Sequence, residues 1–329
     1  MKQILIDRYG PPHEIARCAE VPDVGAPDAG EVVFDVLLFP INPADLLLCR
    51  GNYRLRPALP ATPGAECIGR ISAVGSGVTG VNTGDLVITL QRENWTQRRR
   101  VKAEHVIVVP PDIDLRQAAM LRINPATALM LLTSVAPLQT GEWLVQNVAN
   151  SSVGRLVIAL ARIRGIRTMN VVRRASLFDE LKALGADACA VDSPELAQTV
   201  RAATDSAPIR LGLDAVAGAA TGRIAACLYE GGVVCAYGAM SGEDALMPRS
   251  ALSAGGVSLT GFTLTRPLSK FPRDRVRAMY ADLARRVIDG TLYAPIERIY
   301  PIEAIKDALE DAQRGGRSGK ILVAPNGPV

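Results

Sequence analysis

The chain has 329 residues, of which 48% are hydrophobic and 21% charged; that is too apolar for intrinsic disorder and ordinary for a packed core. At about 100–200 residues per domain, two domains are expected. A formal net charge of only +4 and an aromatic content of 4% argue against a phosphate-backbone or base-stacking surface, so no nucleic-acid partner is expected.

The N-terminal stretch MKQILIDRYGPPHEIARC carries no long apolar segment, and no secretory signal is read there. Residues 1–120 read as β-rich: short apolar runs at Glu31–Leu38, Glu66–Val74 and Gly84–Leu90 are separated by Gly, Pro and Asn clusters. The run Arg98–Arg99–Arg100 with Lys102 reads either as a solvated strand or as a contact to a phosphate-bearing ligand. The most apolar stretch, ATALMLLTSVAPL, is interrupted by Pro137 and is too short to cross a membrane.

From residue 121 to 264 the pattern changes. WLVQNVAN, RTMNVVRR, ACAVD, LGLDAV, GVVCAYG and SLTGFTL read as strands. VGRLVIALARIRG, SLFDELKALG (closed by Gly185) and AATGRIAACLYEGG read as helices among them. Alternation of strand and helix predicts a parallel, doubly wound sheet. Two amphipathic helices, RDRVRAMYADLARRVIDG and PIEAIKDALEDAQRG, and a closing strand, GKILVAP, complete the chain.

Six cysteines stand at positions 18, 49, 67, 189, 227 and 235, none in a C-x-x-C pair, and histidine occurs only at 13 and 105. No disulfide framework or Cys/His zinc cluster is expected, and reduced thiols in a cytoplasmic protein fit best.

The first strand–helix junction of the 121–264 region is the informative place. In a dinucleotide site the pyrophosphate rests on the helix N-terminus. Here the turn is Asn150-Ser151-Ser152-Val153-Gly154; only Gly154 survives of the G-x-G-x-x-G pattern. Ser and Asn cap a helix and also donate to phosphate. An ordinary helix cap would look the same. Nineteen residues beyond Gly154, where an NAD enzyme carries an acid for the ribose, stand Arg173 and Arg174. Guanidinium groups there favour a 2′-phosphate, hence NADPH, unless they merely end a strand in solvent.

The segments INPADLLLCRGNY, AVGSGVTG followed by GDLVI, NPATA, QNVANSSVG, NVVRR and AYGAMSG resemble the medium-chain dehydrogenase/reductase superfamily. Within it they are most similar to the zinc-free 2-enoyl thioester reductase branch. The resemblance runs almost end to end. It implies an α/β protein with a Rossmann NADPH-binding domain at 121–264. A GroES-like β-rich catalytic domain is implied at 1–120 and 265–329, with the active cleft between the two and a homodimer as the assembly.

The resemblance also implies roles. Tyr53 matches the position to which the family assigns substrate activation or protonation. Asn42 matches an Asn near the nicotinamide, Thr127 of NPATA a Thr facing the cofactor, and AYGAMSG adds Tyr237 and Gly238 to the cofactor residues. Asn42 before Pro43 also suits a turn, and Thr127 a helix cap. The Gly-His-Glu triplet of zinc alcohol dehydrogenases is matched by Gly64-Ala65-Glu66, so no metal is expected. Phe262-Thr263-Leu264-Thr265-Arg266-Pro267 replaces a tryptophan-bearing segment of the acyl pocket, Glu93-Asn94 replaces Gly-Thr before Trp95, and Arg122 stands where relatives carry Gly. These departures are expected to fall in the substrate cleft.

The expected activity is NADPH-dependent reduction of the conjugated C=C bond of enoyl thioesters or enones, with no membrane involvement. A quinone oxidoreductase of the same superfamily would share the cofactor site and need no donor at Tyr53. A non-catalytic NADPH-binding protein, akin to lens crystallin relatives, would turn over nothing.

Overall fold

The computed structural model describes residues 1–329. In chain order the elements begin with β1 (Lys2–Ile6), α1 (Pro12–Ile15), β2 (Ala16–Glu20), β3 (Glu31–Pro40), α2 (Pro43–Cys49) and β4 (Ile68–Val74). Next come β5 (Leu86–Thr89), β6 (Arg98–Lys102), β7 (Val106–Val108), α3 (Leu115–Ala118) and α4 (Asn124–Ser134). The central part holds β8 (Trp143–Gln146), α5 (Ser152–Ile163), β9 (Arg167–Val172), α6 (Phe178–Ala183), β10 (Ala188–Val191), α7 (Leu196–Ala203) and β11 (Ile209–Asp214). Then follow α8 (Ala219–Ala225), β12 (Val233–Ala236), β13 (Ser258–Gly261), α9 (Thr265–Leu268), α10 (Arg273–Ile288), β14 (Ile296–Pro301), α11 (Ile305–Gln313) and β15 (Lys320–Ala324). The chain forms two compact units, Met1–Ile123 with Arg277–Val329, and Asn124–Val276. The second unit thus runs past residue 264 to include α9 and the first turn of α10.

In the first unit a sheet runs in the order β14-β15-β3-β4-β5-β7, with β6 also on β3. β3 is the backbone of this sheet because its apolar run is nearly all buried, and only a strand covered on both faces accepts that composition. The returning β15 pairs with it antiparallel, Val323 opposite Phe39. Phe39 stacks on Trp95, ring centroids 5.8 Å apart, in a core with Ile4, Ile6, Phe34 and Ile71. The Arg98–Arg100 run lies on β6, and each arginine is paired with acids: Arg98 with Asp23 and Asp35, Arg99 with Glu93, Arg100 with Glu31 and Asp28. It is a solvated strand whose charge is answered locally.

In the second unit all six expected strands form one parallel sheet, ordered β10-β9-β8-β11-β12-β13. This is the doubly wound order in which direction reverses between β8 and β11. α5 presents Leu156, Val157, Leu160 and Ala161 as its buried face, and α4 packs against it. α7 was not legible from its sequence, because only Leu196 and Val200 are buried along it and no side chain caps it. No helix is long and apolar enough to cross a membrane.

Candidate active site

The reversal point of the second unit's sheet is tied together by side chains. Asn147, just past β8, donates through Nδ2 to Asp214 Oδ1 (2.6 Å) and accepts at Oδ1 from the Ala215 amide (2.8 Å). The buried Asp214 also accepts from the Val216 and Ala217 amides and, at 2.6 Å, from the Thr221 hydroxyl. The ends of β8 and β11 are therefore fixed by a fully hydrogen-bonded carboxylate, which leaves the neighbouring turn free to carry a ligand.

That turn is 147–154. Val148 takes φ +49°, a left-handed value rare for a β-branched residue, in place of a glycine. Ser151 caps α5, its hydroxyl accepting from the Gly154 amide at 3.1 Å. A Cβ on Gly154 would lie 2.6 Å from the Ala149 carbonyl oxygen, and one on Gly238 2.7 Å from that of Ala215. Both glycines mark places where two backbones approach closely. Asn150, Ser152 and Val153 line the same turn and are half-buried. The Tyr237 hydroxyl is buried beside Ser151, and burial pushes its pKa up. Arg173 and Arg174 follow β9 and are exposed; Thr127 is buried in the first turn of α4. Close backbone approach, a capped helix N-terminus, a buried hydroxyl and two exposed guanidinium groups fit a phosphorylated dinucleotide.

The first unit holds Asn42 and Tyr53 at the two ends of α2. Asn42 precedes the helix and is 2% exposed. Its amide is used at both ends: Oδ1 accepts from the Lys320 ammonium, and Nδ2 donates to Glu66 Oε1 at 2.8 Å. Its backbone amide donates to Asp45 Oδ2 at 3.1 Å. Glu66 Oε2 accepts from the Ile123 amide at 2.7 Å. Burial pushes the Glu66 carboxyl up to about 7, against the pull of Asn42 and Lys320, and holds the Lys320 ammonium down to about 8, against the pull of Glu66 and Asp45. Tyr53, half-buried, lies under the Arg92 guanidinium, 5.0 Å from its ring centroid.

The residues at 64–67 do not fit a metal. The Ala65 side chain offers no lone pair, both Glu66 oxygens are engaged, and burial pushes the Cys67 thiol up to about 12. No group of three or more His, Cys, Asp or Glu gathers anywhere in a geometry that could hold an ion. Arg122, expected in the substrate cleft, is buried and internally bonded. Its guanidinium donates to the carbonyls of Ala65, Leu90 and Gln91, and its own carbonyl accepts from the Tyr280 hydroxyl at 3.0 Å. Asn94 is likewise buried, donating to the Gly64 and Gln91 carbonyls. Both departures from the family pattern rebuild the backbone around Ala65.

Sequence reasoning missed Asn147, Asp214, Arg92 and Lys320. Two of them left a signal: Asp214 lies inside the predicted strand LGLDAV and Lys320 inside GKILVAP, both unusual for a charged residue.

Two family models match the chain: zinc-binding dehydrogenase over residues 152–284 and the alcohol dehydrogenase GroES-like domain over residues 28–111. With the strand order, they define an oxidoreductase, and the chain belongs to the medium-chain dehydrogenase/reductase superfamily. The branch is that of the enoyl reductases. The mitochondrial enoyl-acyl-carrier-protein reductase of Rattus norvegicus is 32% identical over 321 residues, covering 95% of this chain and 86% of that protein. Among solved structures, quinone oxidoreductase of Escherichia coli with NADPH superposes with a TM-score of 0.89 at 22% identity, covering 99% of this chain and all of that one. The Etr1p/NADP/crotonyl-CoA complex superposes at 0.86 with 23% identity, covering 98% and 99%. At these identities the structural likeness speaks for the fold.

Proposed function

We propose that the protein reduces the conjugated C=C bond of 2-enoyl thioesters with NADPH and without zinc. The observation that carries the reading is the donor chemistry at Gly64–Cys67. With Ala65 at the metal-ligand position and Glu66 bound to Asn42 and the Ile123 amide, no Lewis acid is available to polarise a carbonyl for direct reduction. Conjugate addition needs only hydrogen-bond donors for a developing enolate. The relation to enoyl reductases along 95% of the chain supports the thioester.

NADPH, when bound, supplies a hydride to the β carbon. The capped N-terminus of α5, with Asn150, Ser151, Ser152, Val153 and Gly154, would hold the pyrophosphate, and Arg173 with Arg174 the 2′-phosphate. Tyr237 and Gly238 close the same cradle, and Thr127 orients the cofactor. The Tyr53 hydroxyl gives its proton to the α carbon as the enolate collapses. Asn42, with both ends of its amide engaged, acts by fixing the start of the helix that leads to Tyr53. We place the protein in the cytoplasm as a homodimer. Six unpaired cysteines, four of them with thiols pushed up to about 12 by burial, support a reducing compartment.

The test is to mix the protein with NADPH and follow loss of the reduced-nicotinamide absorbance with crotonyl-CoA, a simple enone and a quinone. Turnover of the thioester is the expected result. Turnover confined to the quinone would favour the quinone oxidoreductase reading; no turnover with any acceptor would leave a binding protein.

A further inference from the structure

We propose that Arg92 is a positioning residue that clamps Tyr53 and sets a cation on the face of its ring; the proposal rests on the reading of Tyr53 as the proton donor.

Three side chains form the clamp. Asp45 sits on the first turn of α2, fully buried, its backbone neighbour Asn42 donating to one carboxylate oxygen. The other oxygen, Oδ1, has no hydrogen bond and lies 3.5 Å from an Arg92 terminal nitrogen. Arg92 itself is three-quarters buried and comes from the loop after β5, far from α2 in sequence. Its guanidinium carbon then stands 5.0 Å over the centroid of Tyr53, beyond the other end of α2. One cation therefore spans the helix: it is anchored by charge at the start and set over the Tyr53 ring beyond the end.

A planar guanidinium on a phenol face does two things. It restricts rotation of a ring that otherwise sits on a bend, because the stacked geometry is lost when the ring turns. It also places positive charge against the ring at the moment the hydroxyl gives up its proton and the ring takes on negative charge, in a half-buried place where the attraction is poorly screened. The buried Asp45 matters to both effects, because without a fixed anchor a long side chain samples other rotamers. Asp45 is an anchor here and touches no reacting atom.

The test is a double-mutant cycle in the full-length protein, with NADPH and crotonyl-CoA as probes. Arg92→Met keeps the bulk and removes the charge. Arg92→Lys keeps the charge and loses the plane. Asp45→Asn keeps the shape of the anchor and weakens its hold. Arg92→Met is expected to lower kcat about tenfold with the NADPH dissociation constant unchanged. Arg92→Lys should recover part of the loss, and Asp45→Asn should fall in the same direction by less. In a Tyr53→Phe background, Arg92→Met should cost less than twofold, since the group it acts through is gone. An equal loss in both backgrounds overturns the clamp, as does wild-type kcat for Arg92→Met. If Tyr53→Phe alone keeps full turnover, the donor reading fails and the clamp with it; if Tyr53→Phe falls and Arg92→Met does not, only the clamp fails.

Discussion

Gly154→Ala isolates the tightest contact in the nucleotide turn. The new Cβ would stand 2.6 Å from the Ala149 carbonyl oxygen and 2.8 Å from the Ala149 carbon atoms behind it, against an ordinary contact of 3.4 Å or more. Relief requires a movement of about 0.8 Å, the shortfall at the closest of these contacts, and the backbone is not free to make it. The Gly154 amide donates to Ser151 and its carbonyl accepts from Gln146 Nε2 at 3.0 Å, so α5 and β8 must part or one of these bonds must break. Alanine gains about 1 kcal/mol of helix propensity over glycine, and overpacking costs about 1–3 kcal/mol. The net change in unfolding free energy is then a loss of about 0–2 kcal/mol. NADPH binding should suffer more. A hydrogen bond to a charged oxygen is worth about 1.5–3 kcal/mol, so displacing one amide from a phosphate loosens binding about 10–100-fold. Urea denaturation measures the first quantity and nicotinamide fluorescence titration the second. A variant that binds NADPH within twofold of wild type would show that the phosphate does not rest on this turn.

Other substitutions probe the remaining parts. Arg173→Ala should reduce the preference for NADPH over NADH by about 10–100-fold, the worth of a charge-assisted pair; an unchanged ratio removes Arg173 as the phosphate clamp. Enoyl reductase activity should survive prolonged dialysis against a strong chelator, and a loss that zinc restores would overturn the metal-independent reading. Glu66→Gln tests the buried acid through pH. The Glu66 carboxyl titrates near 4.5 when unfolded and is pushed up to about 7 when folded. The folded state therefore binds more protons between those values, and wild-type stability falls as pH rises through that window. The variant lacks this slope, so its stability relative to wild type should rise from pH 4.5 to 7. Parallel urea midpoints across the window would place Glu66 in an ordinary environment.

Much of the second unit was legible because its signals are local. Strands such as Trp143–Gln146 and Ile209–Asp214 are short apolar runs bounded by turn residues, and their alternation with helices fixes a parallel sheet. The turn at 147–154 was readable from its polar residues and Gly154, although a search for glycines alone passes over it. Val148 carries the left-handed backbone value that a glycine would have announced. The first unit's buried cluster was not legible. Lys320 and Asn42 are 278 residues apart, and Asn42 and Glu66 are 24 apart. No periodicity links such positions; they meet because β15 returns to pair with the end of β3, Leu322 opposite Pro40. Arg122 misled for a related reason. A buried arginine is unusual in composition terms, and its partners here are main-chain carbonyls, which every sequence supplies and none advertises.

The same cluster bears on the proposal that this chain works without a metal. A carboxylate buried at the Glu66 position must be balanced, since an isolated charge in a protein interior is far costlier than a paired one. A divalent ion with histidine and cysteine ligands would provide positive charge, at the cost of a cluster of donor groups that this site lacks. Here Lys320 provides it on a tether, bonded to the same Asn42 amide that holds Glu66, while Arg92 answers Asp45 and Arg122 ties the surrounding carbonyls. The two buried acids are thus met by cations built into the chain, and the Ala65 side chain has no lone pair with which to recruit another. With both Glu66 oxygens bonded to Asn42 and the Ile123 amide, this arrangement supports the proposed reading without zinc. It can hold α2 rigid and so fix where Tyr53 stands. On the proposed function, an acceptor whose charge develops as an enolate and is quenched by the Tyr53 hydroxyl is the substrate for which this arrangement is built.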